Sequence, residues 1–136
     1  MLKIFIDGAS AGNPGPAGAG IFVNRPDGEN EHYAIPLGTM SNHEAEFAAL
    51  REALQMCVDK GWTMASIHTD SKLVDDAVEK QFTKHRLYTS YLSDILQLFS
   101  ACELCFVKWI PSTQNRAADQ LSKKAVKKNK SSPEFR

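Results

Sequence analysis

The chain has 136 residues, enough for one domain with a full hydrophobic core. Its composition, 43% hydrophobic and 24% charged, is that of a soluble globular protein, and its apolar runs are too short for a membrane-spanning helix. A formal net charge of zero excludes a protein that holds polyanions by bulk charge alone, although Lys123, Lys124, Lys127, Lys128 and Lys130 crowd near the end.

Leu2, Ile4 and Ile6 alternate with Lys3 and Phe5, which predicts a first strand delivering a carboxylate, Asp7. No basic region followed by an apolar stretch precedes it, which argues against secretion. Five glycines follow, at 8, 12, 15, 18 and 20. Glycine at that density lets backbone approach a ligand or a neighbouring element without a Cβ in the way. Residues 18–24 read as a second strand and Arg25-Pro26-Asp27-Gly28 as a turn. Residues 31–37 read as a third strand, so the chain opens on an antiparallel meander.

Ser41 has Glu44 three residues later, a capping box, and predicts a helix that Gly61 stops. Residues 64–70 read as a fourth strand ending on a second carboxylate, Asp70. A short helix over 71–79 and a longer one over 88–101 follow. Residues 104–110 read as a fifth strand closed by Pro111, and 116–126 as a last helix. Alternating strands and helices predict right-handed crossovers and parallel pairing. The expected fold is one α/β domain over 1–126, a five-stranded mixed sheet flanked by helices. Residues 127–136 read as a basic, disordered tail.

Three cysteines, Cys57, Cys102 and Cys105, are an odd number in a chain that should fold without disulfides, and suit a reducing cytoplasm. Cys102 and Cys105 form one C-x-x-C with no second pair, which makes a poor zinc site.

Four acids need a joint explanation: Asp7, Glu46 early in the first long helix, Asp70, and Asp119 early in the last helix. Strand C-termini and helix N-termini gather at one edge of an α/β sheet. Carboxylates meeting there repel by about 4 kcal/mol per pair at roughly 4 Å and an effective dielectric near 20. Protonation of one acid or capture of divalent cations relieves this. Hard oxygen donors suit Mg²⁺ or Mn²⁺, and two such ions can drive phosphodiester hydrolysis.

The stretches Asp7-Gly-Ala-Ser-Ala-Gly-Asn-Pro-Gly-Pro, Ser41-Asn-His-Glu-Ala-Glu46, Thr69-Asp70-Ser71 and Asn115-Arg-Ala-Ala-Asp119 together resemble the motifs of type 1 ribonuclease H. The resemblance covers roughly residues 1–126 and implies a ribonuclease H-like fold. It implies cleavage of the RNA strand of RNA/DNA hybrids by a two-metal-ion mechanism, leaving 3′-hydroxyl and 5′-phosphate ends. By motif, Asp7, Glu46, Asp70 and Asp119 are the catalytic and metal-binding acids. The implied roles are that Asp7 bridges both ions, Asp70 orients the attacking water, Glu46 serves the leaving-group side and Asp119 completes one shell. Gly8, Gly12, Asn13, Asn42, His43 and Ser71 are the implied substrate contacts, meeting the minor groove where a 2′-hydroxyl distinguishes RNA from DNA. A monomer is the expected state.

Three departures from the pattern favour an alternative, a weakly active or inactive domain that binds hybrid or structured nucleic acid. His43 stands where many members carry a second asparagine. Trp109 stands where some carry a histidine that assists proton transfer, leaving His85 as a substitute. A modest basic cluster over 79–86 (Lys80, Lys84, His85 and Arg86) replaces the inserted basic protrusion of some members.

Overall fold

The computed structural model describes residues 1–131. Its elements are β1 (Leu2–Ser10), β2 (Gly15–Asn24), β3 (Glu31–Met40), α1 (Asn42–Lys60), β4 (Met64–Thr69), α2 (Lys72–Lys80), α3 (Arg86–Ser100), β5 (Leu104–Trp109) and α4 (Arg116–Lys130), with a single 3-10 turn at Ser112–Gln114. The five strands form one sheet in the order β3-β2-β1-β4-β5. The first three pair antiparallel, and β1–β4 and β4–β5 pair parallel, as the element order predicts. Among the described residues no helix is long and apolar enough to cross a membrane.

Local chemistry accounts for the helix ends. The Ser41 hydroxyl accepts from the Glu44 N–H at 3.2 Å, and the Glu44 carboxylate accepts from the Ser41 N–H at 3.3 Å. This reciprocal cap satisfies two donors that the first turn of α1 would otherwise orphan. Gly61 ends the helix in the left-handed region at φ 69°.

The core lies between the sheet and helices α1 to α3. Ile4 and Ile6 of β1, Ile21 and Val23 of β2, and Ile67 of β4 pack with Phe47, Leu50, Leu54, Leu92 and Ile95. Helix α4 packs across β2, β1 and β3. Residues alternate faces along a strand, so Ile4, Ile6 and Gly8 share the α1 face while Asp7 points to the α4 face.

Several boundaries differ from the expectation: β2 begins at Gly15, β3 runs on to Met40 and α3 begins at Arg86, and two further differences bear on the site and the tail. β1 does not break at Asp7 but runs on to Ser10, which pairs with Ala17, so Asp7 is an interior strand residue. Small residues at 8 to 10 weaken the local strand signal, and pairing with β2 overrides it. The last helix continues past Val126 to Lys130, so residues 127–130 are helical rather than a loose tail. Asn129 explains the extension: it is buried, and its amide donates to Ala17 O and Gly38 O, both at 2.8 Å. The rest of the expected tail, 132–136, lies outside the described residues.

Candidate active site

β1 is the central strand, and Asp7 on it is the focus of the site. Its partner across β2 is Gly20. The missing side chain there admits α4: a Cβ on Gly20 would lie 2.1 Å from Ala118 O. Gly8, on the other face, does the same for α1, since its Cβ would lie 2.1 Å from Ala45 O and 2.6 Å from Glu46 N. The two glycines therefore set how close the backbones carrying Glu46 and Asp119 come to Asp7.

Asp7 is half-buried, and its carboxyl pKa is pushed up from 3.8 to about 7. Burial is the main cause, and the charges of Asp70, Asp119 and Glu46 add to it in that order. A hydrogen bond from the Ser122 hydroxyl opposes the rise. The same hydroxyl lies 2.9 Å from Asp119 O. It has one proton for two acceptors, so Asp7 and the Asp119 main-chain oxygen compete for it.

The other acids sit on three further elements. Asp70 follows the end of β4 and accepts from Asn115 Nδ2 at 3.4 Å, while the same amide donates to Ile6 O at 2.8 Å. Glu46 lies 3.4 Å from His43 Nδ1, and Asp119 pairs with Lys123 at 3.0 Å. The quartet thus shares one neighbourhood without close packing. Among the described residues, the group of three acids whose oxygens all lie within 4.8 Å of one another is Asp75, Asp76 and Glu79, on the surface of α2.

The expected substrate contacts divide into two groups. Asn42 and His43 are exposed at the start of α1, and Asn42 Oδ1 accepts from the Ser10 N–H at 3.1 Å, which ties α1 to the exposed loop holding Gly12 and Asn13. These four form a rim beside the acids. Gly8 and Ser71 do not join it. Gly8 is buried beneath α1, and Ser71 is a buried N-cap whose hydroxyl accepts from the Val74 N–H at 3.2 Å. Both positions therefore serve the packing and capping of the fold. His85 caps α3 and stacks on Tyr88 at 4.5 Å, its Nδ1 accepting from the Leu87 N–H.

Two polar residues of the site are given no role by the sequence reading: Asn115, which only opens a motif there, and Ser122. Their partners are 109 and 115 residues away in the chain, and the one local cue is their spacing around Asp119, four before and three after. Asn115 is 1% exposed. Asn115→Ala should orphan Ile6 O inside the sheet and cost about 1–3 kcal/mol, read as a lower urea midpoint at unchanged slope.

The donor set suits a hard divalent cation. All four acids offer oxygen, and a half-buried carboxyl raised to about 7 by its surroundings is relieved by positive charge. No thiol or buried imidazole competes for the ion among the groups that act on Asp7.

A model of the family described as reverse transcriptase-like matches residues 5–125. EbsB of Enterococcus faecalis is 40% identical over 130 residues, covering 94% of this chain and 96% of that protein. The bifunctional protein Rv2228c of Mycobacterium tuberculosis is 32% identical over 134 residues, and this chain spans 36% of its length. RNase H1 of Halobacterium salinarum superposes with a TM-score of 0.87 at 27% identity, over 93% of this chain and 98% of that one. LC11-RNase H1 in complex with an RNA/DNA hybrid gives a TM-score of 0.85 at 24% identity, over 94% and 98%, which speaks to fold alone.

Proposed function

Because the chain belongs to the reverse transcriptase-like family and has the ribonuclease H fold, we propose that it is a ribonuclease H hydrolysing the RNA strand of RNA/DNA hybrids. The observation that carries this reading is Asp7, a half-buried acid surrounded by Asp70, Asp119 and Glu46 and held at an elevated pKa. A protein that only binds a polyanion gains nothing from four facing carboxylates. They serve a purpose when a divalent cation is to be held.

Asp7, Glu46, Asp70 and Asp119 would hold Mg²⁺ or Mn²⁺, in line with a two-ion mechanism. When bound, the ions supply Lewis acidity toward the scissile phosphate and lower the pKa of the attacking water. The rest is done by the chain. Asn115 fixes the Asp70 carboxylate against β1, and Ser122 fixes that of Asp7 against α4. Preset acids lose little freedom when substrate arrives. Asn42, His43, Gly12 and Asn13 form the rim that meets the minor groove, where amide and backbone groups can read the 2′-hydroxyl. We take Gly8 and Ser71 as support for this machinery rather than as substrate contacts. The three free cysteines suit a cytoplasmic setting, and one copy of the chain carries the whole proposed site.

The test is cleavage of an end-labelled RNA/DNA hybrid in Mg²⁺ and in Mn²⁺, with Asp70→Asn alongside. We expect metal-dependent cutting that falls at least about a thousandfold in the variant. Equal cutting by both proteins would remove Asp70 from the mechanism. Hybrid bound but uncut by either would favour the binding-module reading, for which Trp109, unable to transfer protons, is the supporting observation.

A further inference from the structure

Lys72 opens α2, three residues after the last β4 residue, Thr69, and Thr69 pairs across the sheet with Trp109 of β5. The Lys72 ammonium sits over the Trp109 ring, 4.7 Å from its centroid. The ring itself is fixed: its Nε1–H donates to the main-chain carbonyl of Asp70 at 3.2 Å. An exposed lysine is thus stationed on an immobilised aromatic face at the acid edge.

The pairing choices around this lysine are informative. Lys123 and His43, basic side chains in contact with the quartet, are paired with Asp119 and Glu46. Lys72 pairs with no carboxylate among the described residues, although Asp70 is two positions away. The Asp70 side chain is engaged by Asn115 instead. An ion pair with Lys72 would neutralise an acid needed elsewhere. A cation on an indole keeps its full charge and its outward N–H donors.

We propose that Lys72, seated on Trp109, is a phosphate-binding residue for the nucleic-acid strand that approaches the acid edge, with Trp109 as its positioning residue. The proposal deepens the hybrid-cleavage reading and rests on it for the identity of the polyanion. It gives Trp109 a purpose that needs no proton transfer. The indole holds the lysine where a phosphate passes and keeps it off Asp70. One fixed positive charge also offsets part of the repulsion between four acids and an incoming backbone.

The experiment measures binding without cleavage. Fluorescein-labelled RNA/DNA hybrid is titrated in EDTA by anisotropy across a NaCl series, with the parent chain, Lys72→Met, Lys72→Arg, Trp109→Phe and Trp109→Ala. Lys72→Met should weaken binding by about tenfold at low salt and reduce the salt slope by about one, with Lys72→Arg restoring both. Trp109→Ala should reproduce the loss and Trp109→Phe, which keeps an aromatic face, should reduce it. In the cleavage assay, Lys72→Met should raise KM by more than it lowers kcat. A Lys72→Met variant with unchanged affinity and salt slope overturns the proposal, even if its melting temperature drops. Unchanged binding by Trp109→Ala overturns the positioning role. A parent chain that never cuts, but whose salt slope still falls on Lys72→Met, refutes the hydrolase reading and leaves the phosphate contact standing.

Discussion

Asp7→Asn should abolish hybrid cleavage, by about a thousandfold or more, and at the same time make the metal-free protein more stable at pH 8. The two effects have one origin. The Asp7 pKa is about 7 in the folded chain against an ordinary 3.8. A raised folded pKa means the native state binds the proton more tightly than the unfolded state. The stability Asp7 contributes is therefore complete below 3.8 and lost as pH rises through about 7. A rise from 3.8 to about 7 corresponds to at most roughly 4 kcal/mol. Asparagine keeps the shape and the bond from Ser122 but never ionises. In EDTA, the gap in melting temperature between variant and parent should widen from pH 4 to pH 7 and stay level above it. Mn²⁺ should then stabilise the parent at pH 8 and leave the variant nearly unmoved, since the ion binds the ionised carboxylate. A variant less stable than the parent at pH 8 in EDTA would contradict the strained-acid account. A parent indifferent to Mn²⁺ would contradict the metal assignment.

The contrast between what the sequence shows and what it hides follows the range of the interactions involved. The Ser41–Glu44 cap spans three residues, and Gly61 stops α1 through its own φ, so both are legible locally. The apolar alternation of Ile4 and Ile6 and the helical spacing of Ala45, Leu50 and Leu54 likewise reflect one buried face each. The last turn of α4 was hidden because its lysines look like a solvated tail, while the residue that anchors it, Asn129, bonds to strands more than ninety residues away. Asn115 and Ser122 were hidden for the same reason. Trp109 was legible as the wrong chemistry for proton transfer, but its seat beneath Lys72 depends on the β4–β5 register. The glycines were legible as a device for close approach. At Gly8 the element that approaches in the structure is a helix of the same chain.

That close approach leads to the second large effect: Gly8→Ala and Gly20→Ala should damage activity and stability together, although neither adds or removes a polar group. Each new methyl would stand 2.1 Å from a backbone oxygen, of Ala45 or of Ala118. Neither oxygen belongs to a side chain that can swing away, so α1 or α4 must move off the sheet. Overpacking of this kind costs about 1–3 kcal/mol, and these contacts fall at or beyond the upper end because backbone must shift. Activity should suffer more. Glu46 rides on the first turns of α1 and Asp119 on those of α4, so displacing either helix by about 1 Å misplaces one acid and costs on the order of a hundredfold in kcat. Gly28→Ala is the control. It lies in the β2–β3 turn at φ 83° with no atom within 4 Å of an added Cβ, so it suffers backbone strain alone, about 1 kcal/mol, and leaves the acids in place. Urea melts with cleavage rates on all three variants separate the cases. If Gly8→Ala keeps the parent's midpoint and rate, α1 is not held to β1 by that contact, and the placement of Glu46 at the site needs another cause.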